Sequence, residues 1–429
     1  MTIVRQSIRW AGVVLCFGPL AGAGCGGSPS RAAAPVTPVA GRPAAEPAPR
    51  RPALPKGADT CDPNAYYQFA RTQLRRHPAV AAAAYYWMQR LSPDSPNAYY
   101  SERVALLLAD GRMLRGYFDD DRRTLESPRV RRIDSLQVRA LELDPFFPQY
   151  LEEELIVSYY TFVIGNEIRS QTSSSAGPRD EQIEAYVRNE LNDHADSSTR
   201  AWLEYARGGY REAADYWAQR LQRDSANSHL RAWRAKALFL AGAWDSARAE
   251  LVTALAAAHR SDARQMKYVY DSKEMWEYEV GWIDELQKHD SAAREAYQRA
   301  LLENLSFYPA HLRLALLALR QRDTTTAVAE LQRTIEIKDD EFTARLLFGA
   351  VLAARHDAPG ATEQLRGAAA AEPWVAYPHF VLANTRLDAG DRAGAAAEYR
   401  RFLDLAPSTD PNVAAARQRL STLPPAPAP

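Results

Sequence analysis

The chain has 429 residues, with 53 lysines and arginines against 53 aspartates and glutamates, 46% hydrophobic residues, 27 prolines and 3 cysteines. That length suits two or three globular domains or one extended repeat array. Complete charge balance supplies no basic footprint for nucleic acid or anionic lipid, and three cysteines make neither a disulfide-rich scaffold nor a zinc-finger spacing, so no cofactor and no nucleic-acid partner are expected.

Residues 1–24 read as an export signal. Arg5 and Arg9 form a positive start, and the apolar run over 10–24 is shorter than the roughly 20 residues that cross a bilayer. Ala21-Gly22-Ala23-Gly24-Cys25 resembles the lipobox of bacterial lipoproteins, in which a peptidase cuts before a cysteine that then carries lipid. The match departs at Gly22, where that family usually has Leu; the nearest is Leu20. The resemblance implies lipidation at Cys25 and membrane anchoring on the periplasmic or extracellular side. Gly26 in place of a retaining Asp implies the outer membrane where one is present. Ordinary secretion is the alternative. It leaves Cys25 able to pair with Cys61, whereas lipidation leaves Cys61 an odd thiol.

After the cysteine, residues 25–58 carry Pro29, Pro35, Pro38, Pro43, Pro47, Pro49, Pro52 and Pro55 among Ala and Arg. Too little apolar surface is present to offset ordering entropy, so a disordered or polyproline-like linker is expected. Extended at about 3.1 Å per residue, it reaches on the order of 100 Å. Residues 59–192 read as divergent helical hairpins. One unit spans 66–94, with Ala70 and Ala82 twelve apart and Tyr86 four further on; further helices cover 99–112, 134–145 and 149–168, with polar loops at 116–129 and 169–179.

From 193 to 407 the chain repeats. Ala201, Ala235, Gly281, Ala315, Gly349 and Ala383 are separated by 34, 46, 34, 34 and 34 residues. Ala213, Ala247, Ala293, Ala327, Ala361 and Ala395 come twelve residues behind, and Trp217, Leu251, Tyr297, Leu331, Leu365 and Tyr399 four further on. This phase resembles the tetratricopeptide repeat, whose helix-turn-helix unit has small residues at positions 8 and 20 and a large one at 24. Pro373 and Pro407 stand at position 32, where the family often has proline, while Ser225, His259, Leu305 and Asp339 depart from it. Position 4, commonly Trp, is mostly polar. Arg139-Ala140-Leu141-Glu142-Leu143-Asp144-Pro145 matches the ending of the family's second helix. The resemblance implies an all-α, right-handed α-solenoid of helix-turn-helix hairpins: six repeats, an insertion near 259–271 read as a lengthened helix, a capping helix within 408–422 and a disordered tail at 423–429.

Chemistry is sparse. The eight histidines form no H-E-x-x-H and no pair four apart, and nucleophile-elbow and phosphate-loop motifs are absent, so no enzyme is expected. A hidden hydrolase would need Glu152, Glu153, Glu154 or Glu167, and surface carboxylates on a helix are the simpler account. The repeat family lines its concave face with positions 2, 5, 9, 12 and 13 of the first helix. Carried over, these are Trp202, Tyr205, Lys236, Phe239, Tyr278, Trp282, Tyr377, Phe380 and Asn384. Only Lys236 and Asn384 could serve a carboxylate clamp, so none is expected. An aromatic groove suits an extended peptide or a glycan. The function implied is a lipid-anchored scaffold for protein assembly in the cell envelope; the alternative is a glycan-engaging component of polysaccharide export or cell-wall assembly.

Overall fold

The computed structural model describes residues 48–171, 179–262 and 272–423. The expected export signal, Cys25, the linker before residue 48 and the tail from 424 lie outside the described residues. All secondary structure among the described residues is helical, in 21 helices.

Three upstream hairpins come first. Helix α1 (Pro63–Gln73) pairs with α2 (Pro78–Leu91), and α3 (Pro96–Leu108) with α6 (Pro128–Leu143), which is reached through α4 (Gly111–Phe118) and the single turn α5 (Arg122–Leu125). Helices α7 (Glu152–Gln171) and α8 (Asp180–His194) form the third. Proline stands at the start of α1, α2, α3 and α6, where its missing N–H has no intrahelical partner to lose. Two expectations shift here. The loop expected at 116–129 holds the end of α4 and all of α5, and in the first hairpin Tyr85, fully buried, fills the core while Tyr86 is half-buried.

Six hairpins in strict register come next: α9 (Ser197–Arg207) with α10 (Tyr210–Leu221), α11 (Ser228–Leu240) with α12 (Trp244–Asp262), α13 (Lys273–Leu286) with α14 (Asp290–Glu303), α15 (Tyr308–Arg320) with α16 (Thr324–Ile337), α17 (Phe342–Ala354) with α18 (Ala358–Ala371), and α19 (Tyr377–Asp388) with α20 (Arg392–Leu405). Helix α21 (Asn412–Ser421) covers the last, burying Val413 and Ala416 against Tyr399 and Phe402. Helix α12 runs for 19 residues, and most of the insertion expected near 259–271 lies outside the described residues. Lys273 Nζ lies 2.9 Å from both Asp262 and Glu303, which ties the two ends of the insertion together.

The small-residue ladders are the contact lines. All ten alanines of the two ladders are fully buried, and at the two glycines an added Cβ would sit 2.5 Å from the Tyr297 ring and 2.6 Å from Leu365 Cγ. Position 8 is therefore small because position 24 of the same hairpin lies against it. The turns repeat too: left-handed residues occur at Gly208, Gly242, Lys288, Arg322, His356 and Gly390, in the same 34- and 46-residue spacing. Each precedes its second helix by two residues. Glycine takes this conformation freely, whereas Lys288, Arg322 and His356 hold it against the usual penalty of about 1 kcal/mol or more. Gly349→Trp or Ala395→Trp is expected to overpack these lines and cost at least about 1–3 kcal/mol, and Arg401→Trp, on an exposed face, to cost little; thermal melting of the three variants checks it, and equal midpoints contradict the register.

The array returns on itself. Asp59 Oδ2 accepts from Ser408 N at 2.8 Å and from its hydroxyl at 3.0 Å. Arg90 Nη1 donates to Glu372 at 2.9 Å, and the Trp87 and Trp374 rings meet edge to face at 5.2 Å. The first hairpin thus closes against the last two repeats, and the end of α6 enters the concave face of the six.

Candidate functional site: the filled concave face

The turn between α6 and α7 carries Asp144-Pro145-Phe146, and Pro145 prevents α6 from continuing. The last turn of α6 and this exit are presented to the first helices of the repeats. Phe146 stacks on Phe239 with centroids 3.8 Å apart. The Pro145 carbonyl accepts from Lys236 Nζ at 3.0 Å, and the Glu142 carbonyl from the Tyr278 hydroxyl at 3.1 Å. The Tyr308 hydroxyl donates to the Glu142 carboxylate. Arg139 donates to the Tyr308 hydroxyl at 2.6 Å and to Glu341 at 2.9 Å. One turn of helix and its exit therefore touch α11, α13, α15 and the residue before α17. An open aromatic groove is not what the fold presents.

The nine candidate groove residues divide accordingly. Trp202 and Tyr205 are buried, at 4% and 1% exposure. Trp202 packs edge to face against Trp233 at 4.4 Å and Trp217 at 5.4 Å, so these rings belong to the core. Lys236, Phe239 and Tyr278 hold the α6 exit as described, and Lys236 also sits 3.0 Å from the buried Glu279 carboxylate. Burial pushes that carboxyl up while Lys236 opposes the rise. Trp282 is half-buried beneath the Arg313 guanidinium, 4.3 Å from the ring centre. In the last repeat Tyr377, 45% exposed, stacks on Phe380 at 6.3 Å, and Asn384 accepts from the Tyr399 hydroxyl and Arg419.

Three of the four acidic residues weighed for hydrolysis are ion-paired, and Glu152, expected on the surface of a helix, is buried. Glu152 is buried against Arg103 at 3.0 Å, Glu153 pairs with Arg207 at 2.8 Å, and Glu154 pairs with Arg75 at 2.6 Å and Arg188 at 3.0 Å. No group of three metal-ligating side chains occurs among the described residues, and no described helix is long and apolar enough to cross a membrane. Cys61 is free and half-buried, its Sγ 3.8 Å from the Asp404 carbonyl.

Sequence reasoning missed Arg139, Glu142, Tyr308 and Glu341 as members of this site. The motif around Arg139 was visible as a helix ending, but its destination depends on residues 169 and 202 positions away. A further regularity explains the polar position 4. Arg231–Glu250, His311–Glu330, Arg345–Gln364 and His379–Glu398 are all hydrogen bonds between residues 19 apart, each joining the two helices of one hairpin where the family commonly has Trp.

Burial pushes the Glu372 carboxyl at the seam up to about 7, against the pull of Arg90 and Arg139. An acid whose folded pKa exceeds its unfolded value binds more protons when folded, so stability falls as pH rises from about 4.5 to 7 and levels off above. Glu372→Gln is expected to flatten that part of the curve of melting midpoint against pH; an unchanged slope contradicts the assignment.

No protein-family model and no curated protein matches the chain. Among solved structures it is similar to YrrB, described as a TPR protein with an unusual peptide-binding site, at 17% identity and a TM-score of 0.38 over 48% of this chain and 99% of that one. It is similar to PilF of Pseudomonas aeruginosa, at 16% identity and 0.40 over 55% and 98%, and to the C-terminal part of a TPR repeat-containing protein from Cytophaga hutchinsonii, at 13% and 0.41 over 48% and 78%. The hairpins, turns and contact ladders of the chain itself define an all-α solenoid of tetratricopeptide type.

Proposed function

We propose that the chain is an exported, lipid-anchored, noncatalytic scaffold that holds protein segments in the cell envelope. The observation that carries the binding role is the grip of the concave face on a protein segment in cis: a helix end and its exit held by ring stacking, two carbonyl hydrogen bonds and the Arg139–Glu341 pair. The lipid attaches at Cys25, and the proline-rich segment behind it spaces the solenoid from the membrane. Partners meet the rim left accessible by the chain's own occupant, at Trp282, Tyr377, Phe380 and Asn384.

Two measurements test this. Crosslinking and affinity purification of the tagged full-length protein from its native envelope should recover proteins that a Trp282→Ala, Tyr377→Ala variant of equal stability loses; identical recoveries contradict rim binding. Mass spectrometry of the mature N-terminus should show a lipidated Cys25, and Cys25→Ser should move the protein to the soluble fraction. An intact disulfide from Cys25 to Cys61 contradicts the anchor.

A further inference from the structure

The stretch Ala48-Pro49-Arg50-Arg51-Pro52-Ala53-Leu54-Pro55-Lys56 places prolines at 49, 52 and 55. It forms no helix, in keeping with the polyproline-like alternative that composition left open for the linker. Arg50, Ala53 and Lys56 are exposed while Pro49, Arg51, Pro52 and Leu54 are half-buried. Exposure every third residue is the repeat of a polyproline II helix lying on a surface. Ala48 and Pro55 are exposed as well, so the docked stretch runs from Pro49 to Leu54.

The surface beneath is built for such a segment. The Trp87 indole Nε1 donates to the Pro49 carbonyl at 3.0 Å. The Arg51 guanidinium lies among three rings, 4.9 Å from Trp87, 5.3 Å from Tyr66 and 5.6 Å from Trp374. Its Nε donates to the Tyr66 hydroxyl at 2.6 Å and its Nη2 to the Thr60 carbonyl. Leu54 packs on the core of the first hairpin. An indole donor to a carbonyl in a proline-rich segment, within an aromatic-lined groove, is a general way of recognising polyproline II, whose preset conformation leaves little ordering entropy to lose. The caged arginine adds a cation–π reading of sequence. Tyr66 and Trp87 come from the first hairpin and Trp374 from the loop between α18 and α19, so the site exists only where the array closes.

We propose that this seam is a binding site for arginine-bearing, proline-rich segments, held in cis by residues 49–54 and taken over by an extended Pro-x-Arg-Pro-x-Leu segment of a partner protein when these residues leave. The cis segment contributes no helix, and a short connection links it to α1. That connection gives it a high effective concentration, which keeps a partner out until the segment is released. The site depends neither on the lipid anchor nor on the concave face.

The test uses the full mature chain and a fluorescent synthetic peptide with the sequence of residues 48–56. An Arg51→Ala chain, altered outside every helix, is expected to bind the peptide at least tenfold more tightly than wild type. Trp374→Ala in that background, or alanine in the peptide at the place of Arg51, is expected to abolish binding. The peptide arm holds even where Trp374→Ala disturbs folding. Equal or absent binding by wild type and Arg51→Ala, or binding indifferent to the peptide's arginine, overturns the proposal. Wild-type dimers dissolved by the peptide also overturn it, since they make a second copy the occupant.

Discussion

Arg103→Met is expected to destabilise the protein by about 3–5 kcal/mol, because breaking a buried ion pair leaves the surviving charge uncompensated. The Arg103 and Glu152 side chains are 1% and 3% exposed and 3.0 Å apart. The Glu152 carboxyl also accepts from the Tyr100 hydroxyl at 3.3 Å. Burial already pushes that carboxyl up, and Arg103 is the chief influence holding it down. Methionine keeps much of the side-chain volume, so the loss is electrostatic. Adding Glu152→Gln is expected to recover a good part of it, since the pair couples directly. Denaturant unfolding of the two single variants and the double variant checks this, and a loss under about 1 kcal/mol for Arg103→Met would show that the pair is solvated in solution.

The second large effect lies at Arg139. Its guanidinium joins α6 to Glu341, which is 1% exposed, and to the Tyr308 hydroxyl. Arg139→Met is expected to cost about 3–5 kcal/mol for the same reason, with partial recovery by Glu341→Gln. The location of the damage also discriminates. In an open repeat array each unit contacts only its neighbours, so an upstream change is felt locally. Here protection from hydrogen exchange is expected to fall in α15 and at the start of α17 as well as in α6. Loss confined to α6 and its sequence neighbours contradicts the filled concave face.

The periodic part of this architecture was legible because it is local. Gly281 and Gly349 announce a helix contact with Tyr297 and Leu365 sixteen residues on, and every such contact falls within one hairpin. The capping helix was legible from Asp410-Pro411, whose carboxylate accepts from Asn412 N at 2.7 Å. Helix boundaries upstream were less so, since α3, α4 and α6 are held by Tyr100, Val104, Ile133 and Leu155 in a shared core without a repeating phase. Closure was not legible. It depends on how a small rotation per hairpin accumulates, and no residue pattern encodes that sum. For the same reason Trp202 and Tyr205 read as groove residues from their repeat positions, while their partners Trp217 and Trp233 make them core. Lys236 and Tyr278 were found by position, but the carbonyls they bind belong to a segment more than 90 residues away.

Closure is the claim on which the filled concave face and the proline-rich seam both stand. Cysteines placed at Asp59 and Ser408, whose side chains meet at 3.0 Å, test it most directly in a chain with Cys61 replaced by Ser and Cys25 removed with its lipid. A closed array forms a disulfide within one monomer under mild oxidation, seen as a linked peptide pair by mass spectrometry, at a rate independent of protein concentration. Two free thiols, or links only between monomers, would show an array open in solution.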